Sequence, residues 1–215
     1  MLRPLVAGAV LLATAPALAD PPRATPPPPS QNTAPNPPQN TAQSNPIKAA
    51  AERTQAALAT APTAKPEDVR TVDALLAALY DVISGPPGTP RDWQRMRSLF
   101  HPGAQMLPVS RGKAAGAGLH AAVTTPEEYI AWGTGYFQTH GFYEKELSRQ
   151  TMGYGDLVQV LSAYETREAL DGPSTSRGVN SLQLFNDGTR WWILAISWLD
   201  EKSAGVPLPK DFARK

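Results

Sequence analysis

From Phe142 the chain reads Phe142-Tyr143-Glu144-Lys145-Glu146-Leu147-Ser148-Arg149-Gln150-Thr151-Met152, and its side chains alternate with a period of two. Leu157 to Ala169, Arg177 to Phe185 and Trp191 to Leu199 do the same. Such alternation puts successive side chains on opposite faces of a strand. Gly153-Tyr154-Gly155-Asp156, Asp171-Gly172-Pro173 and Asn186-Asp187-Gly188 separate the four runs, and each is a turn signal. Upstream the apolar residues repeat at helical spacing instead. Helices first and a strand meander after predict an α+β domain, an antiparallel sheet with helices packed on one face.

Pro66 suits a first helical turn, and Glu67 and Asp68 suit the positive end of the helix dipole. Val69, Val72, Leu75, Leu76, Leu79, Val82 and Ile83 then form an apolar stripe that stops at Gly85-Pro86-Pro87-Gly88. A second helix is expected with Thr89 as N-cap and Pro90 in its first turn, ending at His101-Pro102-Gly103. Residues 104–123 are rich in Gly and Ala, with a short strand expected at Gln105 to Val109. Thr125-Pro126-Glu127-Glu128 is a capping box. It opens a third helix with Tyr129, Trp132, Tyr136 and His140 on one stripe and Gly141 just past its end.

The order of elements and the local wording resemble the NTF2-like superfamily in its SnoaL-like branch. The resemblance lies in Leu99-Phe100-His101-Pro102-Gly103-Ala104, Thr125 to Tyr129, Ala163-Tyr164-Glu165-Thr166-Arg167, Arg177 to Leu184, Asp187 to Ile193 and Trp198. It covers the folded domain alone. It implies three N-terminal helices packed in the concave face of a strongly bent antiparallel sheet, a cone with a pocket at its open end. Dimers through the sheet are frequent in that superfamily. Its members include isomerases, dehydratases, hydrolases, cyclases and non-catalytic binders, so the resemblance selects no activity.

Residues 1–65 have a different character. Arg3, the apolar run Leu5 to Ala15, Pro16 and Ala17-Leu18-Ala19 read as a signal peptide over residues 1–19, cleaved before Asp20. The apolar run is shorter than the roughly 20 residues that span a bilayer. A periplasmic or secreted location is expected, with no stable membrane insertion after cleavage. Residues 20–46 hold ten prolines, and Gln31-Asn32-Thr33-Ala34 recurs as Gln39-Asn40-Thr41-Ala42. Proline removes backbone donors and fixes φ, so an extended tether is expected, either a spacer or a docking site for a proline-recognising partner. Residues 47–65 are Ala-rich and predict a marginal helix and linker. The folded domain is placed at 66–201 and a tail at 202–215.

Twenty basic and nineteen acidic residues leave a net charge of +1. No cluster of Lys and Arg offers a phosphate-binding surface, which argues against nucleic acid. With no cysteine, disulfides and thiolate chemistry are excluded. The three histidines are spread along the chain with no paired spacing, so no metal is expected, and no organic cofactor. Gly112-Lys113-Ala114-Ala115-Gly116-Ala117-Gly118 lacks the Gly-Lys-Ser/Thr ending of a phosphate loop and reads as a flexible loop.

Candidates for the pocket are His101, Trp132, Tyr136, His140, Glu144, Glu146, Tyr164, Asn180 and Trp198. The histidines titrate near neutrality, yet His101 also suits a helix C-terminus. If the concave face takes Glu144, Glu146, Tyr164, Asn180 and Trp198, the pocket holds a base, a phenol, an amide and an aromatic wall. If it takes the opposite faces, the pocket is blander; alternation alone leaves both open.

Three readings of function follow. The first is an exported domain binding a small, mainly apolar molecule. The second is a cofactor-independent lyase, isomerase or hydrolase using a pocket carboxylate or His with Tyr. The third is an accessory protein acting through its sheet surface. Trp191-Trp192-Ile193-Leu194-Ala195-Ile196-Ser197-Trp198-Leu199 is apolar on both faces. A strand of that kind needs cover on both sides. A homodimer through the outer face is expected, or a terminal segment lying over it.

Overall fold

The computed structural model describes residues 45–213. The leader and most of the proline-rich tether lie outside the described residues. Helix α1 (Pro46–Leu58) is capped by Asn45 and buries none of its residues. Its methyl-rich face has little to bury.

The expected first helix is two. A single turn, α2 (Pro66–Val69), ends before Thr71, whose hydroxyl accepts from the Ala74 N–H and caps α3 (Val72–Ile83). Asp68 is drawn inward rather than left at the dipole. It is buried and receives two bonds from Arg95, at 2.7 and 2.9 Å. Helix α4 (Trp93–Leu99) starts later than Thr89-Pro90 suggests, because Asp92 caps it by accepting from the Arg95 N–H. The preceding Arg91 is buried and donates to the carbonyls of Ile83, Gly85, Pro86 and Thr89. That guanidinium organises the loop which propensity assigned to a helix start.

His101 does not close α4. Phe100 turns extended and begins β1 (Phe100–Arg111), a longer strand than Gln105 to Val109. β2 (Leu119–Ala121) pairs with its far end. Helix α5 (Pro126–Tyr136) carries the expected capping box between Thr125 and Glu128. It stops at Tyr136, so His140 lies beyond it. Gly141 is required by contact rather than as a cap, since a Cβ there would lie 2.0 Å from the Glu168 carbonyl oxygen.

The meander follows as β3 (Tyr143–Tyr154), β4 (Leu157–Arg167), β5 (Ser174–Asn186) and β6 (Trp191–Asp200). These strands are antiparallel neighbours, and β1 adds to β6 in parallel, giving the order β2-β1-β6-β5-β4-β3. The domain is therefore α+β, with a curved, unclosed sheet of six strands. One of its pairings, β1 with β6, is parallel.

Register fixes which face is inside. Asn180 lies opposite Ser162 and Trp198, Leu182 opposite Val160 and Ile196. Val160, Leu182, Leu184 and Ile193 are fully buried with Leu75, Leu76, Leu79, Met96 and Leu99 of the helices. The outer face is covered in part by the chain's own C-terminus. Helix α6 (Glu201–Ala204) packs on β1, β5 and β6, and α7 (Lys210–Ala213) on β3. There Ser148 donates to the Phe212 carbonyl at 2.6 Å and Phe212 is buried. Between these two short helices most residues are exposed, and Phe212 is the anchor.

Ile193 is fully buried, whereas Leu194 sits at a register shift and is half-buried. Ile193→Lys should abolish cooperative melting, since an unpaired buried charge costs several kcal/mol. Leu194→Lys should fold. Thermal melts followed by circular dichroism check both; a folded Ile193→Lys would contradict this account.

Candidate functional site

Helix α3 reaches the sheet with Leu79 and Tyr80 side by side. Leu79 joins an apolar floor with Met96, Met106 and Ile196. Above it opens a cavity of about 740 Å³, walled by Tyr129, Trp132 and Tyr136 of α5 and by Phe142 and Trp198. That volume suits one small organic molecule.

Six of the sequence candidates line this cavity: Trp132, Tyr136, Glu144, Tyr164, Asn180 and Trp198. Glu146 lies instead on a second cleft with Asp73, Asp81 and Arg149. His101 is elsewhere. As a strand residue it turns its ring edge to Phe185 and Trp192, 5.3 and 5.5 Å between centroids. Burial lowers its pKa. His140 is exposed and stacks on Tyr136 at 4.2 Å, outside the cavity lining. Neither histidine joins Glu144: His101 is taken into β1, and α5 ends at Tyr136, before His140.

The centre of the site is Glu144. Asn180 Nδ2 donates to its Oε1 at 3.0 Å. No protein donor among the described residues reaches its other oxygen. Burial pushes its carboxyl up to about 7 despite the Asn180 bond, which acts in the opposite sense. Burial and the Glu144 charge likewise push the hydroxyls of Tyr129 and Tyr164 above the usual phenol range. Neither phenol has a protein hydrogen-bond partner among the described residues. Gly178 makes room for the second, since a Cβ there would lie 2.6 Å from the Tyr164 oxygen. A free Glu144 oxygen and two phenols thus share the cavity with an apolar floor, and Glu128, Arg167, Glu168 and Asp200 complete its charged lining. A carboxyl that titrates near 7 can both take and return a proton at neutral pH.

Sequence reasoning passed over Tyr80 and Tyr129. Tyr80 lies off the quoted aliphatic stripe, and a buried phenol needs a partner. It finds two, with Ser162 Oγ at 2.7 Å and Asn180 Nδ2 at 3.1 Å. Tyr129 stood on the quoted aromatic stripe of α5, in line with Trp132 and Tyr136.

No family model matches the chain, and no curated protein matches it in sequence. Solved structures with a similar course include a cystatin-like protein of unknown function from Nostoc punctiforme PCC 73102, at 12% identity and TM-score 0.47, covering 64% of this chain and 92% of that one. An NTF2-like protein of unknown function from Shewanella baltica OS155 matches at 12% and 0.40, over 59% and 87%. An NTF2-like protein of unknown function from Silicibacter pomeroyi DSS-3 matches at 14% and 0.41, over 61% and 93%.

A carboxyl raised from 4.5 to about 7 holds its proton in the folded state where the unfolded chain has lost it. Its contribution to stability is present below 4.5 and is lost as pH rises through about 7. Ionising it in the fold costs roughly 3 kcal/mol at most. Glu144→Gln, which stays neutral, should therefore melt several degrees above the wild type near about pH 8, with no such gain near about pH 4. Calorimetry at the two pH values decides it; an equal offset at both would mean that Glu144 titrates normally.

Proposed function

We propose that this domain binds one small, mainly apolar molecule in the Glu144 cavity, with a hydroxyl or carbonyl of the ligand meeting Glu144, Tyr129 and Tyr164. The observation that carries the reading is the unpartnered Glu144 oxygen in a cavity otherwise lined largely by apolar and aromatic side chains. Polar groups left free in such a place fix a ligand's orientation while the apolar walls supply most of its affinity. A naphthol, flat and apolar with one hydroxyl, is a suitable probe. It should bind the wild type at one site, quench the fluorescence of Trp198 and bind at least tenfold more weakly to Ser176→Trp, which plugs the cavity wall. Equal binding by both proteins, or none by the wild type, would overturn the reading.

A second reading, a cofactor-independent lyase, isomerase or hydrolase, is favoured by the same carboxyl lying near 7 beside two free phenols. Glu144 would take a proton from carbon or water while Tyr129 and Tyr164 donate to the oxygen on which charge develops. Deuterium exchange at the carbon next to the carbonyl of a cyclic ketone, lost in Glu144→Gln, would support it. Exchange equal to that in buffer would count against it.

The proposed setting is outside the cytoplasm, and its support is the leader motif ending in Ala17-Leu18-Ala19. A homodimer through the outer sheet face is part of the proposal. Met152, Tyr154 and Leu157 are 76%, 91% and 49% exposed at the β3–β4 hairpin, an apolar group that a partner copy would cover. Light scattering at micromolar concentration should give twice the monomer mass, reduced to one by Leu157→Lys. A monomeric wild type would remove the dimer and leave the cavity reading intact.

A further inference from the structure

A line of polar side chains crosses the core between the second cleft and the cavity, and its hydrogen positions follow from one end. Arg149 donates twice to Glu146 Oε2, at 3.0 and 2.6 Å, and once to Asp73 at 2.7 Å. Both Glu146 oxygens accept, Oε2 from the guanidinium and Oε1 from Ser162. Ser162 is fully buried and directs its one hydrogen to Glu146 Oε1 at 2.6 Å. Tyr80, 2.7 Å from the Ser162 oxygen, must then be the donor in that contact. Its own oxygen has only lone pairs left for Asn180, whose Nδ2 lies at 3.1 Å. The same Nδ2 gives its other hydrogen to Glu144 at 3.0 Å. Turning the amide over would set its carbonyl oxygen against the Tyr80 oxygen, which has no hydrogen left to offer, and against Glu144, which could bond it only in its protonated form.

We propose that Glu146, which lines the second cleft and not the cavity, is a positioning residue: through Ser162 and Tyr80 it dictates that Asn180 presents N–H rather than C=O to Glu144. The proposal rests on reading Glu144 as the group that meets the ligand. It gives Glu144, which lines both the cavity and the second cleft, a second determinant four hydrogen bonds away at a residue that lines the second cleft alone.

The line can be reversed. In Glu146→Gln the guanidinium, which only donates, holds the amide oxygen, and the amide nitrogen faces Ser162. Ser162 then accepts and donates to Tyr80, Tyr80 donates to Asn180, and the Asn180 amide turns over. Its oxygen now faces Glu144, which keeps its proton more strongly in order to donate. Simple electrostatics has the opposite sign. The cavity and cleft that Glu144 lines also carry Tyr80, Asp73 and Asp81 of α3, Glu128 and Tyr129 of α5, Tyr164 and Arg167 of β4, Glu168 and Asp171 of the loop after it, Asp200 of β6, and Lys145, Glu146 and Arg149 of its own strand. Of these only the charge at 146 changes. Removing that negative charge and leaving Arg149 uncompensated would make Glu144 more acidic.

The test is carbon-13 NMR titration of glutamate side-chain carboxyls in the ligand-free protein, with the Glu144 signal assigned by its loss in Glu144→Gln. Glu146→Gln should raise the Glu144 midpoint by about one pH unit. Ser162→Ala, which cuts the line and changes no charge, should also raise it by freeing the Tyr80 hydrogen for Asn180, and it stands in if Glu146→Gln does not fold. In a Tyr80→Phe background neither change should raise it. A lowered or unmoved midpoint in Glu146→Gln and Ser162→Ala, or a rise that persists without the Tyr80 hydroxyl, overturns the proposal. The titration uses no ligand, so a failure here leaves naphthol binding as it was, and a cavity that binds nothing leaves the titration as it was.

Discussion

The seating of helix α3 on the inner face of the sheet is the constraint from which the site follows. Leu75, Leu76, Leu79 and Val82 bury almost completely there, and that burial fixes the helix's rotation about its axis. Fixed in this way, the helix delivers Tyr80 into the core beside Ser162 and Asn180. A phenol in that position must be satisfied. Its partners must in turn be satisfied, and the sequence of obligations ends at two carboxylates of one strand, Glu144 and Glu146. Among the described residues, no side-chain polar atom that is closed off from solvent is left without a partner.

The two carboxylates show how neighbours on one strand acquire different chemistry. Both point inward from β3, two residues apart. Arg149 and Asp73 surround one with charge, and the other meets an amide, aromatic rings and open space. The first is tied into an ion-pair network; the second is raised into the range where a carboxyl exchanges its proton at neutral pH. Environment, rather than residue type, assigns the roles.

Much of this was legible in the residues. The four strands of the meander, the capping box at Thr125 and the apolar stripe of α3 are local patterns, and local patterns carry their own physical cause. The alternation also grouped Glu144, Tyr164, Asn180 and Trp198 on one face, leaving only the choice of inner or outer, which register with Leu182 and Ile196 resolves. What escaped was set by distant contacts. Thr89-Pro90 was overridden by Arg91 gathering four carbonyls. His101 was taken into a strand because Phe100 pairs with Ile193, far along the chain. His140 lies outside the cavity because α5 ends a turn early. Tyr80 lies off the quoted stripe, and its two partners, Ser162 and Asn180, come from strands far along the chain.

The parallel pairing of β1 with β6 bears on how the domain comes to exist at all. β6 is the last strand made, and it stands between β1 and β5. Until it is present, β1 has no neighbour on that side, the floor lacks Ile196, the wall lacks Trp198, and α3 and α4 have no Ile193 to close upon. Nearly all the loop-closure entropy of joining residue 100 to residue 193 falls on that single event. A domain built in this way has high contact order, and its core closes only once β6 is in place.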